Sequence, residues 1–86
     1  MGMLEILAAG KGDEKVELGE DGVANKAKFD DLFKKRYLVT VTSEGQSKKV
    51  TGFDAEKNEL IVEESKELRI PATSAVVTAI APIAGG

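Results

Sequence analysis

The chain contains no cysteine, no histidine and no tryptophan. Without cysteine there is no disulfide, no thiolate metal ligand and no thiol nucleophile, and an intracellular location is favoured. Without histidine the side chain most often used as general base, proton relay and nitrogen ligand is missing. Any metal site would have to be built from carboxylates, and Asp13, Glu14, Asp30, Asp31, Glu63 and Glu64 read as solvated charges rather than a ligand set. Positive charge is not in excess: 12 Lys and Arg stand against 15 Asp and Glu, a formal net charge of −3, which argues against an extended nucleic-acid surface. No apolar stretch approaches the roughly 20 residues of a membrane-spanning helix, and no basic segment leads into a hydrophobic signal core. The expectation is a cytoplasmic protein with no membrane partner.

What is present suffices for one small domain. The 86 residues are 42% hydrophobic, and a chain of this length buries about 60–65% of its unfolded surface. Met3 to Ala8 and Lys15 to Leu18 are short and partly alternating, with the turn signal Gly10-Lys11-Gly12-Asp13 between them; they predict an N-terminal β-hairpin. Gly19-Glu20-Asp21-Gly22 reads as a break. Asn25 is the expected helix cap, and Phe29, Leu32, Phe33 and Tyr37 follow at spacings of three and four, predicting an amphipathic helix of about three turns. From Leu38 the period becomes two. Strands are expected at Leu38–Thr42, Lys49–Phe53, Leu60–Val62, Leu68–Ile70 and Val76–Ile80, with Pro71 interrupting the ladder before the last.

The apolar end of this pattern, Val77-Thr78-Ala79-Ile80-Ala81-Pro82-Ile83, runs into Ala84-Gly85-Gly86. Two glycines carry no side chains, so they pass through a narrow channel and leave a carboxylate unhindered; their flexibility has an entropic cost on capture. Ile80, Pro82 and Ile83 are the expected anchors for a partner that holds such a tail, with residues 1–83 as the domain and 84–86 as the tail.

This ending resembles the tails of the small ubiquitin-like sulfur carriers of the molybdopterin-synthase small-subunit and thiamine-biosynthesis type, and the β-β-α-β order resembles their β-grasp fold. The resemblance implies an α+β domain: a hairpin, one helix and further strands of a mixed sheet. It implies that an E1-like adenylating enzyme activates the Gly86 carboxylate with ATP, that a sulfur donor converts it to a thiocarboxylate, and that an acceptor synthase takes the sulfur. Gly85, Ala84, Ile83, Pro82 and Ile80 would then be tail and docking residues, with no stably bound cofactor. Some relatives join the same carboxylate to target lysines.

A second resemblance covers residues 38–82. A helix followed by about five short strands is also the layout of Sm-like and Hfq-like small barrels of the SH3-like kind, and Gly52-Phe53-Asp54-Ala55-Glu56-Lys57-Asn58 is similar to their middle segment. That resemblance implies a last strand that pairs with a neighbouring subunit in a ring, and RNA contacts at Lys48, Lys49, Lys57 and Asn58.

Overall fold

The computed structural model describes residues 1–8, 12–63 and 68–82. Strands β1 (Gly2–Ala8) and β2 (Gly12–Leu18) form a hairpin and are followed by helix α1 (Gly22–Lys34). Strands β3 (Leu38–Ser43), β4 (Gln46–Asp54), β5 (Glu59–Val62) and β6 (Leu68–Pro71) then form a meander, and a 3-10 turn (Ala72–Ser74) leads into β7 (Val76–Ile80). The sheet order is β2-β1-β7-β3-β4-β5-β6. The last strand is therefore central, parallel to β1 and antiparallel to β3, and the other neighbours are antiparallel. One helix against one mixed sheet defines an α+β fold.

One face of the sheet forms the core. Leu4 of β1, Leu18 of β2, Val39 and Val41 of β3, and Val77 and Ala79 of β7 are buried at alternate positions, the period that strand geometry imposes. In β4 the alternation breaks: Val50 and Phe53 are both buried although three residues apart. The pairing with β5 shifts between Val50 and Gly52, and the extra residue turns Phe53 inward, where regular alternation would have pointed Gly52 and Asp54. Phe53 lies under Phe29 of α1, the rings stacked at 5.0 Å with 12° between their planes.

The helix begins earlier than the sequence suggests, and its cap is not Asn25. Asp21 caps it, Oδ1 accepting from the N–H groups of Val23 and Ala24 at 3.1 Å each. Asn25 lies a full turn inside and is buried. Its Nδ2 donates to the Gly19 carbonyl and to Asn58 Oδ1, each at 2.9 Å, so it fastens the helix to the chain before it and to the turn after β4. At the other end Arg36 takes a left-handed conformation (φ 64). The N–H groups of Arg36 and Tyr37 return to the carbonyls of Phe33 and Leu32, a closing pattern that glycine usually supplies.

The expected strands are present, most of them longer than their sequence signals. Lys15–Leu18 extends back to Gly12, and Lys49–Phe53 extends to Gln46 and Asp54. The added residues are polar and carry no alternation of their own; pairing to a neighbour holds them in the sheet. Between β3 and β4, Glu44 (φ 52) and Gly45 (φ 78) both take positive φ, the turn form that matches strand twist in a tight hairpin. Pro71 stays in the ladder opposite Glu59 rather than interrupting it.

Candidate functional site at the end of the central strand

β7 is held on both sides along its whole length. Val76 to Ile80 match Met3 to Leu7 on one side, and Val76 to Ile80 match Thr42 to Leu38 on the other. The Ala81 N–H continues the ladder by donating to the Leu7 carbonyl at 2.9 Å. Pro82 has no N–H and is exposed, so the ladder stops there. Of the expected docking residues, Ile80 and Pro82 lie at this end of β7, the expected exit of the tail; Ile83, Ala84, Gly85 and Gly86 lie outside the described residues.

Ile80 does not stand alone. The register sets Leu7 beside it on β1 and Leu38 beside it on β3. Ile80 and Leu38 are 42% and 47% exposed, so an apolar row crosses three strands on the outer face next to the exit. At the other end of the same face Met3 and Val76 are paired and exposed. Leu7 and Leu38 were not singled out from the sequence, because their adjacency comes from pairing between strands far apart in the chain. On the inner side at the same end, a cavity of about 460 Å³ opens between the hairpin and the end of α1, floored by Ile6, Ala8 and Leu32 and rimmed by Glu14, Lys35 and Tyr37. Asp31 lies 3.0 Å from Lys35 Nζ and holds that ammonium's pKa above its ordinary value through hydrogen bonding and charge.

The residues of the barrel reading are not brought together. Lys49 stands opposite Thr40 on the outer face, and Lys48 stands opposite Val41 and is half-buried. Lys57 and Asn58 follow the far end of β4, about 17 Å along the strand from Lys49. Asn58 is engaged at both ends of its side chain: Nδ2 donates to the Gly19 carbonyl at 3.0 Å and Oδ1 accepts from Asn25. The expectation that the last strand pairs with a neighbouring subunit is overturned, because β1 and β3 occupy both edges of β7.

Asp54, in the same segment, organises the turn after β4. Oδ1 accepts from the N–H groups of Glu56 and Lys57 at 3.0 and 3.1 Å, and Oδ2 accepts from Arg69 Nη1 at 2.6 Å. The Lys57 N–H first, then Arg69, hold its pKa below the usual carboxylate value. A carboxylate depressed in the fold contributes stability that is present above its unfolded pKa, about 3.9, and lost as pH falls through the folded value. Asp54→Asn should therefore unfold more readily than the parent near neutrality, with the difference closing as pH drops below about 4. Urea titrations across this range check it; a gap that stays constant with pH would show that the charge has no part in it.

Among the described residues no group of three or more Asp, Glu, His or Cys is placed to hold a metal ion, and no helix is long and apolar enough to cross a membrane. No protein-family model matches the chain, and no curated protein or solved structure matches it.

Proposed function

We propose that the protein is a β-grasp sulfur carrier acting through the carboxylate of Gly86. An E1-like enzyme adenylates it: a carboxylate oxygen attacks the α-phosphorus of ATP and pyrophosphate leaves. A sulfur donor then displaces AMP from the acyl carbon, and the resulting thiocarboxylate gives up its sulfur in cofactor or metabolite biosynthesis. The carrier contributes a body to dock on and a tail to thread. The single observation that carries the reading is the place of β7: an interior strand, parallel to β1 and antiparallel to β3, whose pairing ends at Ala81, a few residues before Gly85-Gly86 in the sequence. The hairpin and helix ahead of it, and the apolar row of Leu7, Ile80 and Leu38 at the exit, support the same reading.

Intact mass spectrometry of untagged protein from its native cells tests it. A species with sulfur in place of one terminal oxygen, localised by fragmentation to Gly86, is the expected result. A conjugate through Gly86 to a target lysine would assign the modifier role instead. Removal of Gly86 should abolish adenylation and leave the far-UV circular dichroism unchanged, because β1 to β7 and α1 are all formed by residues that precede it in the chain. Adenylation of the shortened chain at the parent rate would overturn the reading.

One observation favours a second reading. After α1 the chain forms β3–β4–β5–β6, a 3-10 turn and β7 returned beside β3, with the irregularity at Val50–Gly52 in the long β4. This order resembles the helix-plus-five-strand layout of the small RNA-binding barrels. That reading predicts that Gly86 is dispensable, and that charge removal at Lys48, Lys49 or Lys57 weakens RNA binding and flattens its salt dependence.

A further inference from the structure

The sheet ends in two edge strands, β2 and β6, and they are not equivalent. Along a strand, the N–H and C=O of one residue point to the same side and those of the next residue to the other. The Met3 N–H donates to the Ala75 carbonyl and the Leu7 carbonyl accepts from Ala81, so the odd-numbered residues of β1 direct their backbone groups toward β7. Their partners across the hairpin are Glu17, Lys15 and Asp13, which therefore direct N–H and C=O away from β1, to the outer edge. The Glu17 carbonyl agrees with this: it accepts from Lys28 Nζ at 3.5 Å. On β6 the Ala72 N–H donates to Asn58, so Pro71, one residue before, faces outward and has no N–H to give. That strand is only four residues long. Short length, proline and charged side chains are the usual means of closing an edge to further pairing. β2 is seven residues long and contains no proline; its charges, Asp13, Glu14, Lys15 and Glu17, are of both signs and can be matched across an edge.

We propose that two copies of this chain associate through β2, antiparallel and about a two-fold axis at Val16. The occupant and register follow from the side chains. Outward-directed residues can face only outward-directed residues in an antiparallel ladder, which restricts the two-fold registers to a handful. Centred on Lys15, the pairing sets Lys15 against itself and Asp13 against Glu17. Centred on Glu17, it sets Glu17 against itself. Centred on Glu14, it matches Asp13 with Lys15 but sets Glu14 against itself. Centred on Val16, it places Lys15 of each copy opposite Glu17 of the other, Val16 opposite Val16, and no like charges opposite each other. Facing opposite charges stabilise a ladder and facing like charges destabilise it, so the alternation Lys15-Val16-Glu17 suits this edge to a second copy of itself. The association does not rest on the carrier reading, and it leaves β7 and the exit at Pro82 untouched.

Sedimentation equilibrium of the full chain tests it, with the variants Lys15→Glu and Glu17→Lys. The parent is expected to form a dimer that weakens with salt. Each single reversal sets two like-charge pairs across the axis and should weaken the dimer by about tenfold or more. An equimolar mixture of the two variants restores opposite charges at both pairs and should recover the parent's association, as should the double variant. Both side chains are exposed, so the fold should survive, and circular dichroism checks this. A measurement on the unaltered chain stands beside these: the amides of Lys15 and Glu17 should exchange more slowly as concentration rises. A parent that stays monomeric to millimolar concentration overturns the proposal. So does a dimer indifferent to both reversals, which would assign association to another surface, or a mixture that fails to recover it.

Discussion

Phe29→Ala is expected to lower stability by about 4 kcal/mol, near the middle of the range for deleting a buried aromatic ring. A domain of 86 residues has a total of roughly 4–13 kcal/mol to lose, so the variant should sit at the margin of folding. The size of the effect has two sources. Phe29 is fully buried, and its ring joins α1 to β4 by stacking on Phe53. Truncation removes the transfer energy of the ring and leaves a cavity that two anchored elements cannot close: α1 is fixed by Asp21 and Asn25, and β4 is paired on both sides. Phe33, only partly buried and 6.4 Å from Phe29 in a tilted arrangement, should cost clearly less when truncated. Urea unfolding followed by far-UV circular dichroism measures both. Phe53→Ala should add less than its full effect to Phe29→Ala, with about 0.5–1.5 kcal/mol of coupling from the stacked pair. A loss below about 1 kcal/mol for Phe29→Ala would mean that the helix does not lie on β4 as described.

How much of this was legible depends on whether the signal is local. Val76–Ile80 was readable at both ends, because it is a short apolar, β-branched run with Pro71 to Ser74 ahead of it and Pro82 soon after it. The helix was readable from Phe29, Leu32 and Phe33, but its start was not. Asp21 and Asn25 are both good capping types, and Gly22 is a poor helix former, so the pattern favoured the later residue. What selects Asp21 is the packing of the helix start against the turn after β4, more than 30 residues on. The strand order was not written in any local pattern. The insertion of β7 between β1 and β3 joins residues some 70 positions apart, and the apolar row beside the exit exists only through that insertion. From the sequence Ile80 was visible as one of three anchors near the tail, with Pro82 and Ile83; Leu7 and Leu38 were visible only as ordinary strand residues. Asn58 shows the reverse failure. It looked like a loop residue available to a ligand, and the fold uses it to tie together Gly19, Asn25 and Ala72.

Gly22→Ala is expected to destabilise by about 3 kcal/mol, at the upper end of the usual cost of forcing an extra carbon into a packed site. The sign makes this a sharp test, because local preference runs the other way. Alanine is favoured over glycine inside a helix by about 1 kcal/mol, and it also lowers the entropy of the unfolded chain. Gly22 is buried in the first turn of α1, where a Cβ would overlap the carbonyl oxygen of Ala55. Neither side can yield cheaply. The turn carrying Ala55 is pinned by Asp54 through the Glu56 and Lys57 N–H groups, and the helix start is pinned by Asp21 and by Asn25. Gly19→Ala is the control, since a Cβ there meets nothing within 4 Å and the residue takes no positive φ. That variant should be neutral or more stable by a few tenths of a kcal/mol, about what glycine replacement gains at an unstrained site. Thermal and urea unfolding of the pair separate the two contributions. If Gly22→Ala matches Gly19→Ala, helix propensity governs both positions and the helix does not seat on the β4–β5 turn; a large loss confined to Gly22 locates the joint between helix and sheet at a single carbonyl.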